Sequence, residues 1–504
     1  MTPLRVEPAL VNEPASAAPE IPQPFRPPDQ NASNAHVREY FERLAPQRAA
    51  WRRKNLGYHL QVERQYRFMV PAGARVLEIG CGTGDLLAAL RPSAGLGLDL
   101  SPALIQQAHA KYPRGPLHFE CAAIEDFAMA WSGQAFDYIV LSDLVGFLYD
   151  IGAVFEKLKV FCHARTRLIL NFHSRLWQPV FALAETLGLK ARQPLLNWVT
   201  VSDVAGMLNL RGYEILAAYP KILWPKRFPL LSGLCNRFLA PFVPFRWFCV
   251  SNFVVARLPA LPFAAPPVVS VICPCRNEAG NIAAIASRLP QMGAATELIF
   301  VEGHSRDETY QRCLDAQREH PALKIQVHRQ TGKGKGDAVR LGFAQAKGEV
   351  LMILDADLTV TPEDLPQFFQ ALASGRVEFV NGSRLVYPME SKAMRFLNLC
   401  ANHFFGHAFS FLIGQRVKDT LCGTKVLLRA DYEKIARGRG YFGEFDPFGD
   451  FDLLFGAAKL GLKIQDLPIR YRDRTYGATN ISRFRHGWLL LKMCGHALFR
   501  LKCH

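Results

Sequence analysis

The feature that most constrains this chain is a double series. Apolar runs of strand length alternate with helical stretches, twice over, on either side of a proline-rich break. Alternating strand and helix signals imply parallel sheets with helices packed on them. The first series runs to about Leu258 and the second begins at Val268; between them PALPFAAPP, Pro259–Pro267, reads as a linker. A chain of 504 residues is about twice what one hydrophobic core supports. The expected fold class is therefore α/β, with two Rossmann-like domains over 35–258 and 268–504. Residues 1–34, rich in Pro, Ala, Asn and Glu and without periodicity, read as a disordered lead. A helical pattern follows from about His36 to Met69.

In the first series, Arg75–Ile79 (RVLEI) reads as a buried strand. It is followed by Gly80-Cys81-Gly82-Thr83-Gly84 and a helix, DLLAAL. Such glycines let the backbone turn tightly beside a ligand, with helix N-terminal amides facing it. A dinucleotide-binding GxGxxG would place its third glycine one residue later. A second strand, Leu96–Leu98, delivers Asp99, an acid placed for ribose hydroxyls. A third, about Leu117–Cys121, precedes Ile124-Glu125-Asp126-Phe127, suited to an adenine edge and face. FDYIVLSD, Phe136–Asp143, reads as a fourth strand with a polar tip.

This ordered set resembles the class I methyltransferases over roughly residues 36–258. The resemblance implies S-adenosyl-L-methionine as cofactor. Glu78, Gly80, Cys81, Gly82 and Gly84 fall in the family's first motif, Asp99 is its ribose acid, Glu125 and Asp126 form its adenine motif, and Ser142 lies at the fourth strand's tip. The sulfonium is already activated, so catalysis is largely alignment. An acceptor would lie near Ser142, Asp143 and Asn171-Phe172-His173, where His173 is either a base for an acceptor hydroxyl or a structural histidine.

In the second series, VVSVIC (Val268–Cys273) is followed by Pro274-Cys275-Arg276-Asn277-Glu278. The strand Glu297–Val301 leads into Glu302-Gly303-His304-Ser305-Arg306-Asp307. Gly332–Asp337, GKGKGD, could cradle a diphosphate, though no Walker A pattern can be written there. In GEVLMILDAD an apolar strand delivers Asp355 and Asp357. Residues two apart in an extended segment share a face, so both carboxylates can approach one hard cation, Mg2+ or Mn2+.

The set resembles family 2 glycosyltransferases of the GT-A fold, especially dolichol- and polyprenyl-phosphate sugar transferases, over 268–490. Further matches are NGSR, DTLCGTKVL (419–427) and FGDFDLLFGAAKLGLKIQDLPIRYRDRTYGATNISR (448–483). The resemblance implies inversion by direct displacement from a nucleotide-sugar donor. Pro274, Asn277, Glu278 and Glu302 would line the nucleoside site, supported by Asp307. Asp355 and Asp357 would hold the metal, and Lys335, Arg384 and Arg474 would face phosphates. A hydroxyl acceptor needs a base, for which Asp450 or Asp452 is the candidate. A phosphate acceptor needs cations instead, and Arg384, Arg470, Arg472 and Arg474 are available. The family's paired aspartates after the second strand are Glu302-Gly303 here, and its glutamine beyond the DxD is Thr359.

The chain carries 60 basic against 44 acidic residues, a net +16. Nucleic acid, an anionic membrane surface or phosphorylated substrates each suit that excess. An antiparallel strand pair, Tyr213–Tyr219 and Phe248–Arg257, flanks residues 221–247. That segment contains Lys221, Lys226, Arg227, Arg237 and Arg246, no acid, and interleaved Trp and Phe. It suits a headgroup-level membrane contact or a lipid-acceptor groove, or equally packing against the partner domain. Residues 394–413 and 487–501 are apolar and helical but too polar or too short to span a bilayer. The twelve cysteines show no zinc-like spacing and no secretory signal precedes them, which reads as free thiols in a cytoplasm. The expected location is cytoplasmic, with peripheral docking on the inner face of the cytoplasmic membrane. The function expected is a bifunctional transferase of cell-envelope glycans or lipids. The alternative is a nucleic-acid-binding methyltransferase fused to an inactive sugar-transferase-like module. Against it, Asp355 and Asp357 are intact and no nucleic-acid motif is recognisable, so no nucleic-acid partner is expected.

Overall fold

The structure, a computed structural model, describes residues 30–124, 134–194, 197–387, 396–442, 449, 451–472, 474, 476 and 483–503. Among these residues two seven-stranded sheets form. The first contains β1 (Arg75–Ile79), β2 (Ala94–Asp99), β3 (Leu117–Cys121), β4 (Phe136–Ser142), β5 (Cys162–His173), β6 (Glu214–Lys221) and β7 (Ser251–Arg257), in the order β3-β2-β1-β4-β5-β7-β6. The second contains β8 (Val268–Cys275), β9 (Ala295–Glu302), β10 (Lys324–Arg329), β11 (Val350–Ile353), β12 (Phe379–Ser383), β13 (Lys425–Leu428) and β14 (Ile464–Pro468), in the order β10-β9-β8-β11-β13-β12-β14.

The central strands are apolar throughout because both faces of each sheet are covered. In the first sheet Leu77, Ile139 and Leu170 enter one core while their neighbours Val76, Val140 and Ile169 enter the opposite one. In the second, Ile272, Leu351 and Ile353 face one core and Val271, Val350 and Met352 the other. Helix starts follow local chemistry: Ser101 caps the helix Pro102–Lys111, and Thr200 with Asp203 forms a capping box on Val201–Leu210.

The expectation of parallel sheets holds for β3-β2-β1-β4-β5 and for β10-β9-β8-β11. Beyond them β7 runs antiparallel to β5 and β6, as the flanking strand pair predicts. In the second sheet β13 runs antiparallel to β11 and β12, which corrects the parallel reading. The reversal places the loop before β13 beside the carboxyl end of β11. A second correction concerns the DxD: β11 ends at Ile353, so Asp355 and Asp357 lie in the turn beyond it rather than in extended chain.

The N-terminal helical pattern resolves into Gln30–Leu44, Arg48–Lys54 and Leu56–Met69. The apolar helices Phe396–Ile413 and Arg483–Ala497 pack into the second core through Phe405, Phe409, Leu412, Leu490 and Met493. Among the described residues no helix is long and apolar enough to cross a membrane.

The domains meet through buried charge. The Nη2 of Arg167 on β5 donates to both carboxylate oxygens of Glu378 at 2.8 Å, and its Nε donates to the Gly461 carbonyl at 2.8 Å. Arg257 on β7 lies 3.4 Å from the same carboxylate, which also accepts from the Lys463 amide. Burial works to raise the Glu378 pKa, but Arg167 and Arg257 outweigh it and hold the carboxyl below its ordinary value.

Candidate active sites

Both sheets reverse strand order once near the middle, between β1 and β4 and between β8 and β11. Ligands of open α/β sheets bind outside the carboxyl ends of strands at such points. Four non-glycine residues with left-handed backbone lie at these strand ends: Asp143 (φ 53°) in the first half and Asn277 (56°), His304 (58°) and Leu358 (55°) in the second. Backbone strain of this kind gathers where loops are shaped around a ligand.

At the first crevice, Gly80, Gly82 and Gly84 all have positive φ, so the loop after β1 wraps closely. Asp99 ends β2; its Oδ2 accepts from the Gly82 amide at 2.7 Å and its Oδ1 from the Ser101 amide at 3.0 Å. These bonds fix the acid at the mouth of a cavity of about 490 Å3, lined also by Glu78, Gly80, Cys81, Ser142, Asp143 and His173. Glu78 is buried, one of its oxygens has no hydrogen-bond partner, and burial pushes its pKa up to about 8. The buried tip of β5 adds a polar triangle. The Asp143 Oδ1 accepts from the Tyr58 hydroxyl at 2.8 Å and from Asn171 Nδ2 at 2.6 Å, and Tyr58 lies 3.5 Å from His173 Nδ1. Burial holds the His173 pKa below its ordinary value, so the imidazole is neutral at pH 7 and able to accept a proton.

At the second crevice β8 continues three residues beyond its last pairing with β11, so Pro274 needs no amide on that side. The Lys335 Nζ lies 2.6 Å from Asp355 Oδ1, at the start of the helix Lys335–Gln345. Burial would raise the Asp355 pKa, but Lys335, Lys425 and Arg384 together lower it. Arg474 holds Asp357 through Nη2 and lies 3.7 Å from Glu278 Oε1 through Nη1. Burial raises the Glu278 pKa to about 7. Asp307 accepts from the amides of Ala279 and Thr309, and Asn277 Oδ1 from the Arg306 amide, tying the loops after β8 and β9 together. A Cβ at Gly423 would lie 2.6 Å from Asp355 Cγ, so only glycine fits there.

Residues 76–162 match the family model of a methyltransferase domain, and residues 270–436 match that of glycosyl transferase family 2. The chain joins a methyltransferase domain to a family 2 glycosyl transferase domain. The glycosyl transferase half is 29% identical over 227 residues to glycosyltransferase AglJ of Haloferax volcanii, covering 45% of this chain and 70% of that one. It is 34% identical over 120 residues to a dolichol-phosphate mannosyltransferase of Pyrococcus furiosus, covering 23% of this chain and 33% of that one, so the chain spans a third of that relative's length. The methyltransferase half is similar to magnesium protoporphyrin IX methyltransferase of Synechocystis PCC 6803 with bound SAH, at 17% identity and a TM-score of 0.32, covering 45% of this chain and 99% of that one.

In the methyltransferase domain the structure brings Glu78, the glycine loop, Asp99, Ser142 and His173 to one cavity. Glu125 and Asp126 lie outside the described residues. Sequence reasoning missed the roof. The helices Gln30–Leu44 and Arg48–Lys54 close the cavity with Tyr40, Arg48 and Trp51, and a Cβ at Gly82 would lie 2.9 Å from Arg48 Cζ. It also missed Tyr58, for which no local pattern exists.

In the glycosyl transferase domain Asp355, Asp357, Lys335, Arg474 and Glu278 gather as expected of one site. Arg384 bonds the two carboxylate oxygens of buried Asp419 through Nε and Nη2 at 2.7 and 2.9 Å. Asp452 bonds Arg439 at 3.0 Å and faces Arg340 at 3.8 Å. Asp450 lies outside the described residues. Glu302 accepts from the Ser305 amide and thereby shapes its own loop. Lys425, fully buried with its ammonium on the Cys422 carbonyl, was missed; in sequence its only signal is its place in DTLCGTKVL. Every described cysteine is free.

Proposed function

We propose that the chain is a bifunctional enzyme. Its C-terminal domain transfers a sugar, with inversion, from a nucleotide donor to a polyprenyl phosphate or cell-envelope glycan. Its N-terminal domain transfers a methyl group from S-adenosylmethionine to a sugar, lipid or related small acceptor. The observation that carries the first activity is the pairing of each DxD carboxylate with one cation, Asp355 with Lys335 and Asp357 with Arg474, at the mouth between β8 and β11. Two carboxylates here fit a hard divalent cation, so Asp355 and Asp357 would hold Mg2+ or Mn2+. When bound, the metal neutralises charge on the departing nucleotide diphosphate. Lys335 and Arg474 stand ready as the protein's own cations for the phosphates. Glu278, beside Arg474, fixes the nucleoside end together with Asn277. A phosphate acceptor needs no base, which agrees with Asp452 being tied to arginines. The dolichol-phosphate name of the Pyrococcus relative supports this acceptor class.

For methyl transfer, S-adenosylmethionine supplies an already activated methyl group. Asp99 would hold the ribose, Glu78 would face the positively charged end, and His173, kept neutral by burial, would take the proton of an acceptor hydroxyl. A peripheral position on an anionic membrane follows from the acceptor class and the net charge of +16.

Titration calorimetry with S-adenosylmethionine, and separately with nucleoside diphosphates plus Mn2+, tests each half. A donor screen read by mass spectrometry for hexose and methyl additions then tests the reactions. Absence of S-adenosylmethionine binding would reduce the N-terminal half to a scaffold.

A further inference from the structure

A second cavity, of about 380 Å3, lies between the two domains and shares no lining residue with the methyl-donor cavity. Neither Asp355 nor Lys335 lines it. Its walls come from β6 and the segment after it on one side, and from the ends of the helices Phe396–Ile413 and Phe451–Lys459 and the C-terminal turn on the other. Six cationic side chains line it and no carboxylate does. One of them, Arg167, is neutralised by Glu378.

The other five, Lys221, Arg246, Arg416, Lys459 and Lys502, make no ion pair among the described residues. Lys221, only 5% exposed, donates to the Lys502 carbonyl at 2.8 Å. Lys459 donates to the Phe68 carbonyl at 3.4 Å. The Lys502 ammonium lies over the rings of Tyr219 and Phe411, at 6.0 and 5.4 Å. Burial, and then Lys502, presses the Lys221 pKa down to about 7; burial, and then Arg246, presses Lys502 to about 8. Burying ammonium groups without counter-charge is costly, and a cavity that merely packs two domains together would be apolar or charge-matched. Crowded, unpaired cations around an open space suit an anion with several acceptor oxygens.

The same cavity has an apolar side made of Phe68, Tyr219, Phe411, Leu412 and Leu501. Phe411 connects it to the outer surface, because Phe242 stacks on it at 5.8 Å. Val243, Trp247 (64% exposed), Phe238 and Phe499 are exposed as well, the last two in edge contact at 6.2 Å. Cations at the inner end and aromatic groups at the outer end match the order of charge and hydrocarbon in a lipid headgroup region.

We propose that this interdomain cavity binds the phosphate headgroup of an anionic lipid, with the aromatic surface around Trp247 and Phe499 seated in the membrane interface. The site is distinct from both transfer sites and would hold the two domains against one membrane surface. Two of the five cations in residues 221–247, Lys221 and Arg246, face this cavity, while Phe238, Phe242 and Trp247 are exposed.

The test is co-sedimentation of the full chain with phosphatidylcholine vesicles, with and without phosphatidic acid, in about 0.1 M salt, where screening leaves short-range contacts intact. Neither transfer activity is read, so failure here is separate from failure of the proposed reactions. Phosphatidic acid is expected to tighten binding on the order of tenfold or more, and the double substitution Arg246→Gln, Lys502→Gln to remove that gain at an unchanged melting temperature. Should the double variant not fold, Lys502→Gln alone serves, with a smaller loss. Trp247→Ser is expected to weaken binding to both vesicle types. Equal binding to both vesicles, binding to neither, or a charge variant that binds like the parent would overturn the proposal. Release from the vesicles by inorganic phosphate at low millimolar concentration would assign the cavity to a free phosphate and overturn its assignment to lipid.

Discussion

The ammonium of Lys335 sits 2.6 Å from the carboxylate of Asp355, and both press against the bare backbone of Gly423. Three segments contribute to this contact: the turn after β11, the loop before β13 and the helix that follows β10. A methyl group at Gly423 cannot be accommodated without moving Asp355. Gly423→Ala is therefore expected to lower glycosyl transfer on the order of a hundredfold, the cost of a displacement near 1 Å at a reacting site, while S-adenosylmethionine affinity stays unchanged. Transfer rates and calorimetry on one preparation check this.

Asp355→Asn and Asp357→Asn are expected to abolish Mn2+-dependent nucleoside diphosphate binding and to lower glycosyl transfer by about a hundredfold or more. Methyl transfer by the same variants should match the parent. Equal loss of both activities would mean that the substitutions had unfolded the chain.

Glu78 is the buried acid of the methyl-donor cavity, raised from 4.5 to about 8 by burial. The folded chain thus holds a proton that the unfolded chain gives up above about 4.5. Wild-type stability should fall as pH rises from 4.5 to 8, and Glu78→Gln should lack that slope. A cationic ligand beside Glu78 favours the carboxylate, so affinity for S-adenosylmethionine should rise with pH up to about 8, with proton release on binding. Calorimetry in buffers of different ionisation enthalpy reads the proton directly.

His173→Gln is expected to reduce methyl transfer on the order of a hundredfold at unchanged S-adenosylmethionine affinity. Because burial lowers its pKa, the rate should level off at a pH below the ordinary histidine value of 6.5. A pH–rate profile and a binding titration separate this role from a structural one.

Glu378→Ala leaves Arg167 buried without a counter-charge at the domain boundary and leaves Arg257 with Glu214 alone. It is expected to destabilise the chain by about 3–5 kcal/mol. It should also split one unfolding transition into two, because the lost contact is a buried ion pair between the domains. Replacing Arg167 and Glu378 together by apolar residues of similar volume should recover most of the loss. Calorimetric melting of the three proteins decides.

Much of the fold was legible because its signals are local. Apolar runs marked the central strands, the glycine triplet marked the turn after β1, and Asp99, Asp355 and Asp357 followed strands closely enough to be placed at their carboxyl ends. The antiparallel course of β13 was not legible. Four residues carry no direction of their own, and only the path of the chain after β12 sets it. The fate of Arg384 and Asp452 was equally hidden, since their partners Asp419, Arg439 and Arg340 are recognisable only in space. Arg48 and Tyr58 belong to helices whose sequence reports amphipathicity, not which strand end they cover.

By itself, then, the sequence determined two α/β domains, the two family resemblances and the positions of the acids that begin each site. Those properties depend on periodicity, turn chemistry and motifs that span a few residues. Tertiary structure decided which charges are paired and which are left over. Glu378 meets Arg167 across 211 residues of chain, while Lys221 and Lys502 meet each other without an acid. The reason is physical: a charge's role depends on what lies within about 4 Å of it in a low-dielectric interior, and folding alone supplies those neighbours.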